Sequence, residues 1–406
     1  MKSITIVLLI AFLASAIVHA EGPLFAFQEI DSPAGPGSGE PRLYVDQRGS
    51  LYLSWVEESE GTSSLWVATF DEMSQSFARK EKIASGENWF VNWADTPGFC
   101  VSDSGARLAY WLQKTGAGAY DYEIRFSVWT VVSGKWSEPA RLHDDDDLGE
   151  HGFVSAAPFE DRFALTWLKV SPSESGSTNA SLRYRELRPS GALLPEITLD
   201  ESVCTCCSTS MIRTDDGELW ATYRDRSKSE IRDISFVRYS KSSWSQPTTV
   251  FDDRWKMPGC PVNGPVLASQ HSELAATWYT GAGEGGGRVN LAFRNGERFG
   301  FPLRIDDGRP EGRPHLAMTP HGQTLVIWLE VGDDGAEWRL KRVTGSGIGT
   351  GSPVRSLSPS SKLVSVPQSR SSGFAQIAQT GKHTVFAWTE PGTPAQVRTA
   401  VLKLRE

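Results

Sequence analysis

The sequence predicts an all-β fold, a seven-bladed β-propeller, from three observations. Short alternating segments ending in an aromatic recur seven times: Leu51–Trp55, Leu108–Trp111, Phe163–Trp167, Leu219–Tyr223, Leu274–Trp278, Leu325–Trp328 and Val385–Trp388. Their terminal aromatics are 56, 56, 56, 55, 50 and 60 residues apart, room for four short strands per copy. No segment carries an amphipathic helical period, and no shift in composition divides the chain.

The elements follow in order within each copy. An apolar first strand such as Gly152–Ala157 precedes the aromatic-ended second strand, and a third such as Ile234–Tyr239 follows it. A fourth begins near an aromatic and a proline, as in Trp136-Ser137-Glu138-Pro139, Trp244-Ser245-Gln246-Pro247 and Phe299-Gly300-Phe301-Pro302. The seventh copy stops at Leu402-Lys403-Leu404 without its fourth strand. Phe25–Ile30 can supply it from the other end of the chain, closing the ring and removing the open sheet edges. The segments 35–39 and 171–180 read as loops.

Ahead of the copies, Lys2, the apolar run Ile4–Val18 and Val18-His19-Ala20 match a secretory signal peptide, residues 1–20, cut before Glu21. Residues 21–406 are then one domain, periplasmic or secreted, with no membrane insertion after cleavage because the apolar run is too short to span a bilayer. Cleavage removes one Lys and no acid, taking the net charge from −8 to −9. That balance argues against nucleic acid as a partner, since such proteins present a basic face.

Against this background the cysteines stand out. Cys204, Cys206 and Cys207 fall within four residues, and Cys260 lies inside Gly259-Cys260-Pro261-Val262-Asn263-Gly264-Pro265. In a propeller, the loops into the first strands and out of the second strands open on one face. Sixteen residues before Trp111, Trp167 and Tyr223 stand Asp95, His151 and Cys207, and Cys260 lies near the same offset from Trp278. A carboxylate, an imidazole and thiols therefore converge on one funnel.

Thiolates with an imidazole suit copper or zinc, so His151, Cys204, Cys206, Cys207 and Cys260 are the candidate metal ligands. The alternative in an oxidising compartment is a disulfide from Cys260 to one member of the cluster, leaving two thiols over; redox or nucleophilic chemistry is a third. Cys100, within a first strand, reads as a buried, inert thiol.

Arg224, Asp225 and Arg226 leave a second strand on the same face, and Arg232 and Asp233 enter the next. With Asp95 and Arg313 they are candidates for binding a small anionic ligand or glycan, and Arg370 lies near Arg313's offset. Mutual Arg–Asp pairing that braces the loops is the competing reading. His143 followed by Asp144–Asp147 reads as a solvated acidic loop rather than a hard-cation site. His315 and Met318 read as core, and Asn179-Ala180-Ser181 as a chance glycosylation triplet.

The turns Ser133-Gly134-Lys135-Trp136, Lys241-Ser242-Ser243-Trp244 and Arg294–Phe299 resemble Asp-box (BNR) turns of the sialidase-like propellers, without most of the defining Asp and Gly. From about Asn92 to Ala400 the chain is similar to exported bacterial propellers of that sialidase-like group. The resemblance runs through Asn92-Trp93-Ala94-Asp95, Glu150–Ser155, the cysteines, Tyr223-Arg224-Asp225-Arg226, Ile231–Ile234 and Gly259–Pro265. It implies the fold, with a six-bladed sialidase-type ring as the alternative to seven. It also implies a glycoside hydrolase as the alternative to a binding protein, using three arginines, an acid/base Asp and a Tyr activated by Glu. No motif identifies that Tyr and Glu. A scaffold presenting the funnel face to a protein partner is a further reading.

Overall fold

A computed structural model describes residues 25–145, 149–172, 178–283, 285–345 and 355–404. The proposed signal peptide, Asp146 and Asp147, and residues 173–177 lie outside that set; Ser171, Pro172 and Thr178 to Ala180, expected in a loop, are paired strand residues, as are Ser38 and Gly39 of the expected loop 35–39. The described residues form an all-β, propeller-like fold in which the helical element is a single 3-10 turn, Arg370–Ser372. No helix among them is long and apolar enough to cross a membrane.

The strands fall into six sheets. Five carry one sequence copy each; the sixth carries two, 98–141 and 150–203, joined by a single parallel bridge between Glu150 and Tyr122. Within each copy successive strands pair antiparallel, as in Leu219–Arg224 between Ser210–Arg213 and Ile234–Ser240. The last sheet contains Gln376–Thr380, His383–Glu390 and Gln396–Leu404, and its fourth strand is Phe25–Ile30, registered from Phe25↔Leu404 to Ile30↔Thr399. The two ends of the chain thus share one sheet.

The terminal aromatics explain the period. Trp55, Trp111, Trp167, Tyr223, Trp278, Trp328 and Trp388 are all buried, and the apolar clusters lie between neighbouring sheets. One cluster, for example, joins Leu53 and Trp55 of the first copy to Ala387 and Val397 of the last. A sheet covered on both faces by its neighbours needs an apolar residue at each alternation, which is why every copy repeats the pattern.

First strands surround a central cavity of about 570 Å³ lined by residues of all seven copies, including Arg42, Tyr110, Ser155, Thr209, His315 and Gln376. His315 and Met318 both line this cavity, and Met318 is buried as expected. Several first strands are approached through a left-handed residue: Glu40, Phe153, Val262 and Arg313 have φ of 52°, 54°, 48° and 51°. Around Glu40, Phe153 and Arg313 the strand register slips, the signature of a bulge that re-aims the following side chains.

Removing Phe25–Ile30 strips six paired residues from the last sheet and uncovers the edge of Gln396–Leu404. Deletion of this strand is expected to lower the thermal midpoint by at least about 5 °C, given the buried Phe25 and the lost ladder. An unchanged midpoint by differential scanning calorimetry would count against closure.

Candidate functional site

The cysteine loop joins the third copy to the fourth. Strand Ile197–Val203 ends as the Cys204 amide donates to the Arg224 carbonyl (2.9 Å), and Val203 bridges Asp225, so the thiols are tied to the Arg-Asp-Arg segment. Cys207 is followed by Ser208, which lines the cavity. Gly264 packs against it; a Cβ there would sit 2.2 Å from the Ser208 carbonyl oxygen, so the Gly259–Pro265 loop can approach this closely only with glycine.

Cys206 and Cys260 form a disulfide across 54 residues, leaving Cys204 and Cys207 as thiols. As thiolate ligands, Cys206 and Cys260 are thereby corrected. What remains is a pair at Cys-x-x-Cys spacing, masked in the sequence by the cysteine between them. The Cys204 sulfur is 3.7 Å from that of Cys207, 3.8 Å from that of Cys206 and 3.2 Å from Arg232 Nη1. Both free thiols are 1% exposed.

The pair is electrostatically unequal. The hydrogen bond with Cys207 brings the Cys204 thiol down to about 6 against the effect of burial, helped by the Cys206 amide and the Arg224 and Arg232 guanidiniums. Burial and the proximity of Cys204 push Cys207 well above the ordinary thiol range. A thiolate at Cys204 beside a protonated Cys207 follows.

His151 is not part of this group. It lies against Asp145 (2.9 Å) and stacks on His143 (ring centroids 3.8 Å apart, 3° between planes), forming a separate cluster. Its imidazole meets His143 and Asp145 rather than the thiols, although its offset matches that of Cys207. His143 is buried rather than part of a solvated acidic loop.

Arg224, Arg226, Arg232 and Arg313 are engaged with the protein itself. Arg224, 1% exposed, donates to the carbonyls of Asn263 (3.0 and 2.7 Å), Arg232 (2.7 Å) and Tyr279 (2.7 Å), and lies over the Trp255 ring. It clamps three loops and has no donor pair directed at a ligand carboxylate. Arg226 makes a forked pair with Glu230 (3.1 and 2.7 Å), and Arg232 adds a third contact to the same carboxylate (2.8 Å). Asp225 accepts from the Arg226 amide and Ser235, and Asp233 accepts from the Arg254 and Trp255 amides. Arg313 donates to the Ser369 and Gly373 carbonyls over the Trp93 ring, while Arg370 is exposed. Loop bracing, the competing reading, describes these residues.

Asp95 caps the neighbouring copy: its Oδ1 accepts from the Phe153 amide (2.7 Å), the left-handed residue of the next first strand. Asn263 does the same for Arg313 (2.5 Å). Gly152 makes the approach possible, since a Cβ there would overlap Asp95 Oδ2. The other Asp95 oxygen meets the Tyr122 hydroxyl (3.1 Å), which also meets Glu150 (2.8 Å). One phenolic proton cannot serve two carboxylates, so at least one carboxyl carries a proton of its own. Burial raises Asp95 to about 8 and Glu150 to about 7 accordingly.

No family model matches the chain, and no curated protein matches it. Among solved structures, it is similar to a polysaccharide lyase of a new family, an ulvan lyase, with a TM-score of 0.58 at 10% identity, covering 93% of this chain and 96% of that one. It is also similar to a protein of unknown function from Dyadobacter fermentans (TM-score 0.51, 11% identity, 94% and 98% covered). The leech intramolecular trans-sialidase matches with a TM-score of 0.49 at 9% identity over 94% of this chain and 91% of that one. At such identities the likeness concerns the fold.

Tyr122, Glu150, Glu230, Asn263, His143 and Asp145 complete these clusters and were not selected from the sequence. Tyr122 and Glu150 are brought together by the parallel bridge between the second and third copies, which no local motif encodes. Cys100 is the buried thiol expected, with burial pushing it up to about 12.

The Asp95–Tyr122–Glu150 network has a pH consequence. Both carboxyls keep protons in the folded chain that the unfolded chain releases near pH 4, so stability falls as pH rises from there through about 7 to 8. Asp95→Asn, which keeps an acceptor for the Phe153 amide, is expected to flatten the decline of the thermal midpoint between about pH 5 and about pH 8. An unaltered slope would contradict the protonated-carboxyl assignment.

Proposed function

We propose that this chain is an exported, seven-bladed propeller that binds a soft metal, copper(I) or zinc, at Cys204 and Cys207. The observation that carries the reading is the free Cys204 sulfur, 3.7 Å from that of the free Cys207 and 3.2 Å from Arg232 Nη1. A tetrahedral centre with sulfur ligands at about 2.3 Å holds its sulfurs about 3.8 Å apart. The spacing therefore suits ligands of one ion, and the guanidinium offsets thiolate charge in a buried place. Two thiolates at this spacing supply half of such a centre, and the remaining positions are left to an incoming ligand. Export is supported by the leader-like N-terminus and the disulfide. Seven blades are supported by the seven copies and by the end strand shared between the two termini.

A second reading, a sialidase-like glycoside hydrolase acting on an anionic glycan, has one observation in its favour: Tyr122 pairs with Glu150 beside Asp95, the residue types that the resemblance calls for. A structurally similar ulvan lyase is bound to a glucuronate and rhamnose-sulfate saccharide, and Arg42 lines the central cavity here. Against it, Tyr122 is buried, stacks on Phe90 and has its hydroxyl raised well above the ordinary range, the reverse of an activated nucleophile. The metal reading is the stronger.

Metal analysis of full-length protein purified without chelator, with alkylation of thiols before and after chelation, tests it. About one copper or zinc per chain is expected, with Cys204 and Cys207 becoming alkylatable on removal and the metal lost in Cys204→Ser or Cys207→Ser. Four oxidised cysteines and no metal would overturn the proposal. Turnover of a fluorogenic sialoside abolished in Tyr122→Phe would instead establish the second reading.

A further inference from the structure

We propose that His143, Asp145 and His151 form a second, sulfur-free cation site, for a divalent ion of the zinc class, at the junction of the second and third copies. His143 follows the short strand Ala140–Arg141 that ends the second copy, and His151 lies in Glu150–Phe159, the first strand of the third. The junction is where those two copies merge into one sheet through the Glu150–Tyr122 bridge.

Both imidazoles are buried, His143 at 4% exposure and His151 at 1%, and none of the four ring nitrogens makes a well-aligned hydrogen bond. Asp145 Oδ1 is 3.4 Å from His143 Nδ1 and 2.9 Å from His151 Nε2, yet it too makes no aligned hydrogen bond. Buried polar atoms are ordinarily satisfied, so five crowded and unsatisfied ones in one place require an explanation.

Their spacing supplies it. An ion with nitrogen ligands at about 2.0–2.1 Å and a carboxylate oxygen at about 2.0–2.2 Å holds its donor atoms roughly 3 to 3.5 Å apart. The two nitrogen–oxygen separations, 2.9 and 3.4 Å, lie close to that range. Two imidazoles and one carboxylate select zinc-class ions over calcium or magnesium, which take oxygen ligands. Asp145's other oxygen receives Lys169 Nζ at 2.8 Å, in the strand paired with that of His151, and this contact orients Oδ1 toward the rings. A shared ion must lie in the plane of each ring, so its arrival tilts one imidazole out of the parallel stack. Three protein donors leave one tetrahedral position open for solvent or a ligand oxygen.

The test uses the full chain carrying Cys204→Ser and Cys207→Ser, so that the sulfur site cannot contribute. Isothermal titration with zinc is expected to give one ion per chain, and cobalt(II) to give visible bands without thiolate charge transfer. His143→Ala and His151→Ala are each expected to weaken zinc by at least about 10-fold. Asp145→Asn, which keeps both rings packed and so separates ligand loss from misfolding, is expected to do the same. No zinc uptake by the double-serine chain, or equal affinity in Asp145→Asn, would overturn the proposal. Either result leaves the Cys204–Cys207 reading intact, and loss of that reading leaves this one intact.

Discussion

The ladder between Phe25–Ile30 and the last strand, Gln396–Leu404, is the constraint on which the remaining structure depends. It joins the two ends of the chain in one sheet, so that the first copy packs against the last through Leu53, Trp55, Ala387 and Val397. With the ring held, first strands of every copy face one cavity. Loops that are far apart in the chain then meet on a common face, bringing Cys206 to Cys260 and Arg224 to the Asn263 and Tyr279 carbonyls. An open array would expose both edges and hold none of these loops at fixed separation.

Loops on that face carry a second demand, because several first strands are approached through a left-handed residue whose amide leaves the ladder. Asp95 satisfies Phe153, and Asn263 satisfies Arg313. Backbone groups buried at the junctions must be paired, and polar side chains of the adjacent copy are the nearest partners. Many residues with ligand-binding chemistry are therefore engaged in holding neighbours. Arg224, with four contacts to three carbonyls, is the fullest case.

Two groups depart from that use. Cys204 and Cys207 remain after the disulfide is made, one biased toward thiolate and the other toward thiol. His143, Asp145 and His151 crowd together without aligned hydrogen bonds. Both groups sit where copies meet, the places at which a repeat fold can differ from one copy to the next without altering its strands.

The sequence by itself determined the all-β repeat, its period and the strand that joins the two ends. Burial between sheets demands apolar alternation and a large aromatic in each copy, and such a demand is written locally in Trp55, Trp111, Trp167 and their equivalents. It also marked the Cys204–Cys207 and Gly259–Pro265 loops as neighbours, which the Cys206–Cys260 disulfide joins, and Cys100 as a buried thiol. Which partner each group takes was decided by the tertiary structure alone. Cys206 pairs with a residue 54 positions away, His151 turns to His143 and Asp145 rather than to the thiols, and Tyr122 meets both Asp95 and Glu150. An equal offset from the aromatic places residues at one level of the ring, but strand bulges and inter-copy packing set the direction of each side chain, and direction decides the chemistry.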